Sequence, residues 1–95
     1  MNPLRRHMID DMEIRNLTPN TQRAYIEQAS RFARHFGKSL DHLGPAEIRM
    51  YLLHLVNDKH LAASSIIVAV SALRFLYTIT LKRAWVVEDI IRAGK

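Results

Sequence analysis

The chain is 95 residues long, a one-domain length, and 48% of it is hydrophobic, enough for a small core and too much for wholesale disorder. It has no cysteine, which excludes disulfides and thiolate metal sites. Three glycines and three prolines are too few for a turn-rich β-sandwich, and the net charge of +5 points to an acidic partner if it gathers on one face.

The opening Met1-Asn2-Pro3-Leu4-Arg5-Arg6-His7 has no apolar run behind its charges, so it does not read as a secretory signal. A first helix is expected over Pro3 to Arg15, where Leu4, Met8, Ile9 and Met12 recur at helical spacing and Asn16 suits a left-handed stop. A second begins after Thr18, a capping residue, with Pro19 in its first turn. Tyr25, Ile26, Ala29, Phe32, Ala33 and Phe36 form its apolar stripe, and Gly37 stops it. A third helix runs from Gly44-Pro45 to about Asp58 with Ile48, Tyr51, Leu52 and Leu55 buried; its outside reads as mixed or acidic. A fourth is expected from about Ala63 to Thr80, burying Ile66, Val70, Leu73 and Tyr77. Its opposite side carries the small residues Ser64, Val68, Ser71 and Ala72. Trp85 to Ile91 suits a short fifth helix, and the end at Arg92-Ala93-Gly94-Lys95 reads as a linker. The fold class is therefore all-α, a compact bundle of four to five helices. No apolar stretch approaches the roughly 20 residues that span a bilayer. The charge-free run Leu61 to Leu73 contains three serines, so no membrane partner is expected. The expected location is the cytoplasm.

Charge follows this division. Residues 18–38 carry Arg23, Arg31, Arg34 and Lys38 against Glu27, and residues 59–83 carry Lys59, Arg74, Lys82 and Arg83 with no acid. Residues 39–58 are net negative, and the two ends balance. At a 100° step per residue, Arg23, Arg31, Arg34 and Lys38 lie within about 40° of their mean direction, opposite the aromatic stripe. An ordinary polar face explains such arginines equally well when acids are interspersed, but here only Glu27 is. A face of this kind attracts a polyanion, most often nucleic acid. Ser64 and Ser65 fall in the first turn of the fourth helix, where free N–H groups and the helix dipole favour phosphate.

Catalytic patterns are missing. Histidines 7, 35, 42, 54 and 60 form no helical ligand pair, and Asp10-Asp11-Glu13 and Glu88-Asp89 diverge as neighbours on exposed helices do. Met8, Met12 and Met50 read as core filler, and Tyr25, Tyr51 and Tyr77 as core residues with hydroxyls at an edge. No cofactor or metal is expected, and the chain itself reads as non-catalytic.

Three stretches together resemble a known family. They are Leu17-Thr18-Pro19-Asn20-Thr21-Gln22-Arg23-Ala24-Tyr25 with Phe32 and Phe36; Leu43-Gly44-Pro45-Ala46-Glu47-Ile48-Arg49-Met50-Tyr51-Leu52; and Leu61-Ala62-Ala63-Ser64-Ser65-Ile66 followed by Leu73-Arg74-Phe75-Leu76-Tyr77. Their order and spacing resemble the SAM-like core-binding domain of tyrosine recombinases, the phage-type integrases and related transposases. The resemblance implies a DNA-binding N-terminal domain over residues 1–92, with 93–95 starting a linker to an absent catalytic domain that holds the arginines, lysine, histidines and nucleophilic tyrosine. It implies double-stranded DNA as partner, together with the catalytic domain of the same polypeptide and neighbouring recombinase protomers on DNA. By position, Asn20 and Thr21 match phosphate-contacting residues of the second helix, and Arg23 and Ala24 match groove-facing ones. Ser64 and Ser65 match the start of the fourth helix, and Val68 and Ala72 continue its DNA-facing side. Arg31 joins this set through the basic ridge. The family often has proline where Ala63 stands and threonine where Ser65 stands; Val68 and Ala72 cannot donate hydrogen bonds, so phosphate and shape contacts are expected to dominate.

Two other readings fit parts of the sequence. A helical protein-interaction module or accessory DNA-binding factor could use the small-residue face of the fourth helix, with Phe75 exposed. A helix-turn-helix regulator needs a shorter turn than residues 37–44 supply.

Overall fold

The computed structural model describes residues 3–83. They form four α-helices: α1 (Pro3–Ile14), α2 (Pro19–Phe36), α3 (Pro45–Asn57) and α4 (Ala63–Arg74). A 3₁₀ turn over Leu40–His42 joins α2 to α3, and the chain after α4 keeps winding as a wider π turn over Phe75–Thr80. Among the described residues there is no strand, and the architecture is the all-α bundle expected. The fifth helix expected at Trp85 to Ile91 lies outside the described residues.

Local chemistry sets most of the helix ends. Asn16 takes φ 60°, and the Leu17 N–H reaches back to the Met12 carbonyl at 3.1 Å, closing α1. At the start of α2 the Thr18 Oγ1 accepts the Thr21 N–H at 3.2 Å. At its end Gly37 takes φ 65° and donates to the Ala33 carbonyl at 2.9 Å. Gly44 has no side chain to cap α3, so Glu47 reaches back and accepts the Gly44 N–H at 2.9 Å. That bond, helped by Lys38, holds the Glu47 carboxyl below the usual carboxylate range.

The core lies where α1, α3 and α4 close on α2. Phe32, Met8, Met12, Ile48, Leu73, Leu76 and Tyr77 are all but sealed from solvent. The Phe32 ring lies 5.2 Å from that of Tyr51 and 6.4 Å from that of Tyr77, so one side chain joins three elements. Burying each such side chain contributes about 1.5–3 kcal/mol. The closest-packed pair is α2 with α4. They run antiparallel: Tyr25 near the start of α2 meets Phe75 just past the end of α4, ring to ring at 6.1 Å. The far half of α2 shares a groove with Lys59 and Leu61, just before α4 begins.

The π turn replaces the last part of the fourth helix expected from sequence. The Leu81 N–H bonds the Leu76 carbonyl, five residues back, at 2.8 Å. Phe75, Leu76 and Tyr77 are buried in succession, which a regular 100° step would not allow on one face. The turn also ties distant parts together. The Tyr77 hydroxyl donates to the Leu40 carbonyl at 2.6 Å, and the Thr80 hydroxyl donates to Asp11 Oδ2 at 2.9 Å.

Two expectations are corrected and one is refined. Phe75 is 7% exposed and belongs to the core, because it packs under Tyr25. Met50 is 60% exposed and is not core filler. The outer face of α3 is mixed but carries more apolar surface than expected, with Met50, Leu53 and Val56 exposed around the half-exposed Arg49. The helical run Ala63–Thr80, with mean hydropathy 1.6, is long and apolar enough by composition to cross a membrane. Here it is the core helix, with Ala69, Leu73 and Leu76 fully buried and Arg74 breaking its apolar run.

Candidate nucleic-acid interface

The first turn of α2 is held in a defined geometry. The Thr18 hydroxyl accepts the Thr21 N–H and donates to Thr21 Oγ1 at 2.9 Å. The Thr21 Oγ1 accepts that bond, which leaves its own proton free to donate. Asn20 beside it is exposed, Thr21 and Ala24 are half-buried, and Arg23 is exposed. Among the described residues neither Arg23 nor Arg34 is ion-paired. Arg31 meets Glu27 at 3.3 Å, with both side chains more than half exposed (54% and 61%). Such a pair is weak and salt-screened, so an incoming phosphate competes with it readily. With Lys38 also exposed just past Gly37, the outer face of α2 is a basic strip.

On α4, Ser64 is exposed, while Ser65 and Val68 are half-buried. Ala62 offers no side-chain cap, so the first N–H groups of α4 are without a capping side chain. Ala72 is corrected: it is 0% exposed and cannot touch DNA. It lies one turn on from Val68, where α2 crosses over α4 at the Tyr25–Phe75 contact, and the surface has closed.

Antiparallel packing also distributes these residues. The Ser64 end of α4 lies beside the Arg31 and Arg34 half of α2, whereas Arg23 belongs to the other end, about 12 Å away along the axis at 1.5 Å per residue. The candidate contacts form a line along α2, not one cluster.

Sequence reasoning missed part of this surface. An open groove of about 520 Å³ between α2 and α3 is lined by Arg31, Arg34, His35, Tyr51, His54, Leu55, Lys59 and Leu61. His35 follows Arg31 by one turn, which was a usable signal. His54 could not be found that way, because only packing brings α3 against this half of α2. Burial pushes the Tyr51 phenol up, and Arg31 partly opposes that. The described residues contain no metal-ligating cluster. Asp10 pairs instead with Arg6 at 3.2 Å, and Asp11 holds Thr80.

A compact all-α bundle of four helices with a basic outer strip along α2 is the architecture of an integrase-type N-terminal domain. The family model for the N-terminal SAM-like domain of phage integrases matches residues 4–86. The chain belongs to that family. A Sinorhizobium fredii protein named as an integrase/recombinase, y4qK, is 50% identical over all 95 residues of the chain, which cover 31% of that relative. A second protein of that organism, named as integrase/recombinase y4eF, is 47% identical over 53 residues, 56% of the chain and 21% of the relative. The chain thus spans about a third of the length of y4qK. No solved structure matches it significantly.

Proposed function

We propose that this chain is the DNA-binding N-terminal domain of a tyrosine site-specific recombinase, which clamps duplex DNA during integration, transposition or related recombination in the cytoplasm. The observation that carries the proposal is the exposed strip of Arg23, Arg31, Arg34 and Lys38 on α2, within a domain of the integrase family. Asn20, Thr21 and Arg31 contact phosphates, Arg23 faces the groove, and Ser64 and Ser65 add the start of α4. Ala24 and Val68 supply close, apolar approach to the groove. Sequence choice comes mainly from elsewhere in the protein, because these contacts read backbone and shape. The strand-cutting residues belong to a C-terminal catalytic domain of the same polypeptide, joined through a linker that begins at 93–95. Neighbouring protomers on DNA are further partners.

The test is binding of the 95-residue chain to duplex DNA across a salt series. Four lysine or arginine contacts give a log–log slope near about −3.6, at about −0.9 per phosphate. The double variant Arg23→Ala/Arg31→Ala should bind more weakly and flatten the slope. Unchanged affinity in that variant defeats the assignment of this face.

The protein-interaction reading keeps one supporting observation, although not the one from sequence. Exposed apolar residues gather on α3, at Met50, Leu53 and Val56, and Ile67 is exposed on the small-residue side of α4, whereas Phe75 is buried. A stable homodimer that persists at high salt without DNA affinity favours that reading.

A further inference from the structure

We infer that the groove between α2 and α3 is a further phosphate site, in which His35 and His54 hold a DNA backbone phosphodiester in their protonated form. This rests on the DNA-binding reading above and adds to it a contact and a pH dependence. The rings of His35 and His54 lie 4.7 Å apart, tilted by 36°. Arg31 and Arg34 flank them from α2, and Lys59 flanks them from the loop after α3. Tyr51 of α3 lies 5.4 Å from His35, ring to ring. Two acids stand nearby. Glu27 is held by Arg31, and Asp58 Oδ2 meets His54 Nδ1 at 2.9 Å.

That last bond orients His54. With Nδ1 turned to Asp58, the other ring nitrogen is left for a second partner. A phosphodiester seated in the groove sets its negative charge against these two rings and the three flanking cations, an arrangement that favours the protonated rings in the complex. Binding and proton uptake then become one event. The gain in affinity is complete below the free histidine pKa and is lost as pH rises through the pKa in the complex. The occupant is a phosphodiester because the groove shares Arg31 and Arg34 with the basic strip that the DNA backbone is proposed to follow.

The experiment measures affinity of the 95-residue chain for duplex DNA at constant ionic strength between about pH 6 and about pH 8, the range in which histidine titrates. Wild-type affinity should rise roughly tenfold toward the acid end, where the two rings carry their charge onto the phosphate. His35→Gln/His54→Gln should lose most of that rise, and His42→Gln, outside the groove, should keep it. Lys59→Ala, on an exposed loop, should lower the salt slope by about 0.9. A double variant that is folded by circular dichroism and keeps the full pH dependence overturns the inference. So does a Lys59→Ala chain with an unchanged slope, which remains decisive if the double variant does not fold. If the wild-type chain binds no duplex at any pH, the DNA-binding reading itself fails. The groove is then judged by titrating inorganic phosphate and following the histidine ring protons by NMR. Joint shifts of His35 and His54 keep it as an anion site, and their absence ends it.

Discussion

Tyr77 shows how one side chain serves the whole bundle. Its ring lies against Phe32, and its hydroxyl donates to the Leu40 carbonyl across 37 residues of sequence. Burial pushes its phenol well above the ordinary value. An unfolded tyrosine ionises near about pH 10, so above that pH the unfolded state loses a proton that the folded state retains. Stability therefore falls as pH rises beyond that point. Tyr77→Phe should cost about 1 kcal/mol at neutral pH, a modest loss because Leu40 keeps the Leu43 N–H as a partner at 3.2 Å. It should also remove this residue's share of the alkaline loss. Urea midpoints near neutrality and above about pH 10 check both effects. An unchanged midpoint at neutral pH contradicts the role assigned to the hydroxyl.

At the scale of elements, α2 is the best-specified part of the chain. Thr18, Pro19 and Gly37 act locally, each satisfying or removing a terminal backbone group, so they are readable without tertiary knowledge. Thr18→Ala should destabilise the domain by about 1 kcal/mol. Because Thr18 also orients the Thr21 hydroxyl, the variant should lose DNA affinity at pH 7 beyond what its remaining folded fraction explains. Equal affinity per folded molecule, from parallel titrations of binding and unfolding, separates Thr21 from the interface. The π turn had no comparable signal. Its residues Phe75 to Thr80 are compatible with a plain helix, and it arises because three consecutive side chains must enter one core.

At the scale of the molecule, α2 lying antiparallel on α4 decides which candidate residues remain available. Asn20, Arg23, Arg31 and Ser64 stay exposed, but Ala72 does not. Ala72→Leu should therefore cost about 1–3 kcal/mol by overpacking. Val68→Ser, at a half-buried position, should be milder for stability and act instead on DNA affinity. Thermal unfolding of the two variants beside DNA titration checks the division; an Ala72→Leu chain of native stability contradicts the buried placement.

The all-α class, the ends of α1 to α3 and the basic ridge of α2 were legible from residues alone. Periodicity, capping and charge act over a few neighbours, and a helix carries them along its own axis. The exposed apolar residues of α3, the burial of Ala72 and Phe75, and the meeting of His35 with His54 depended on which helix packs on which. Those outcomes come from contacts between residues far apart in the chain, and no local pattern encodes the side from which a neighbour arrives.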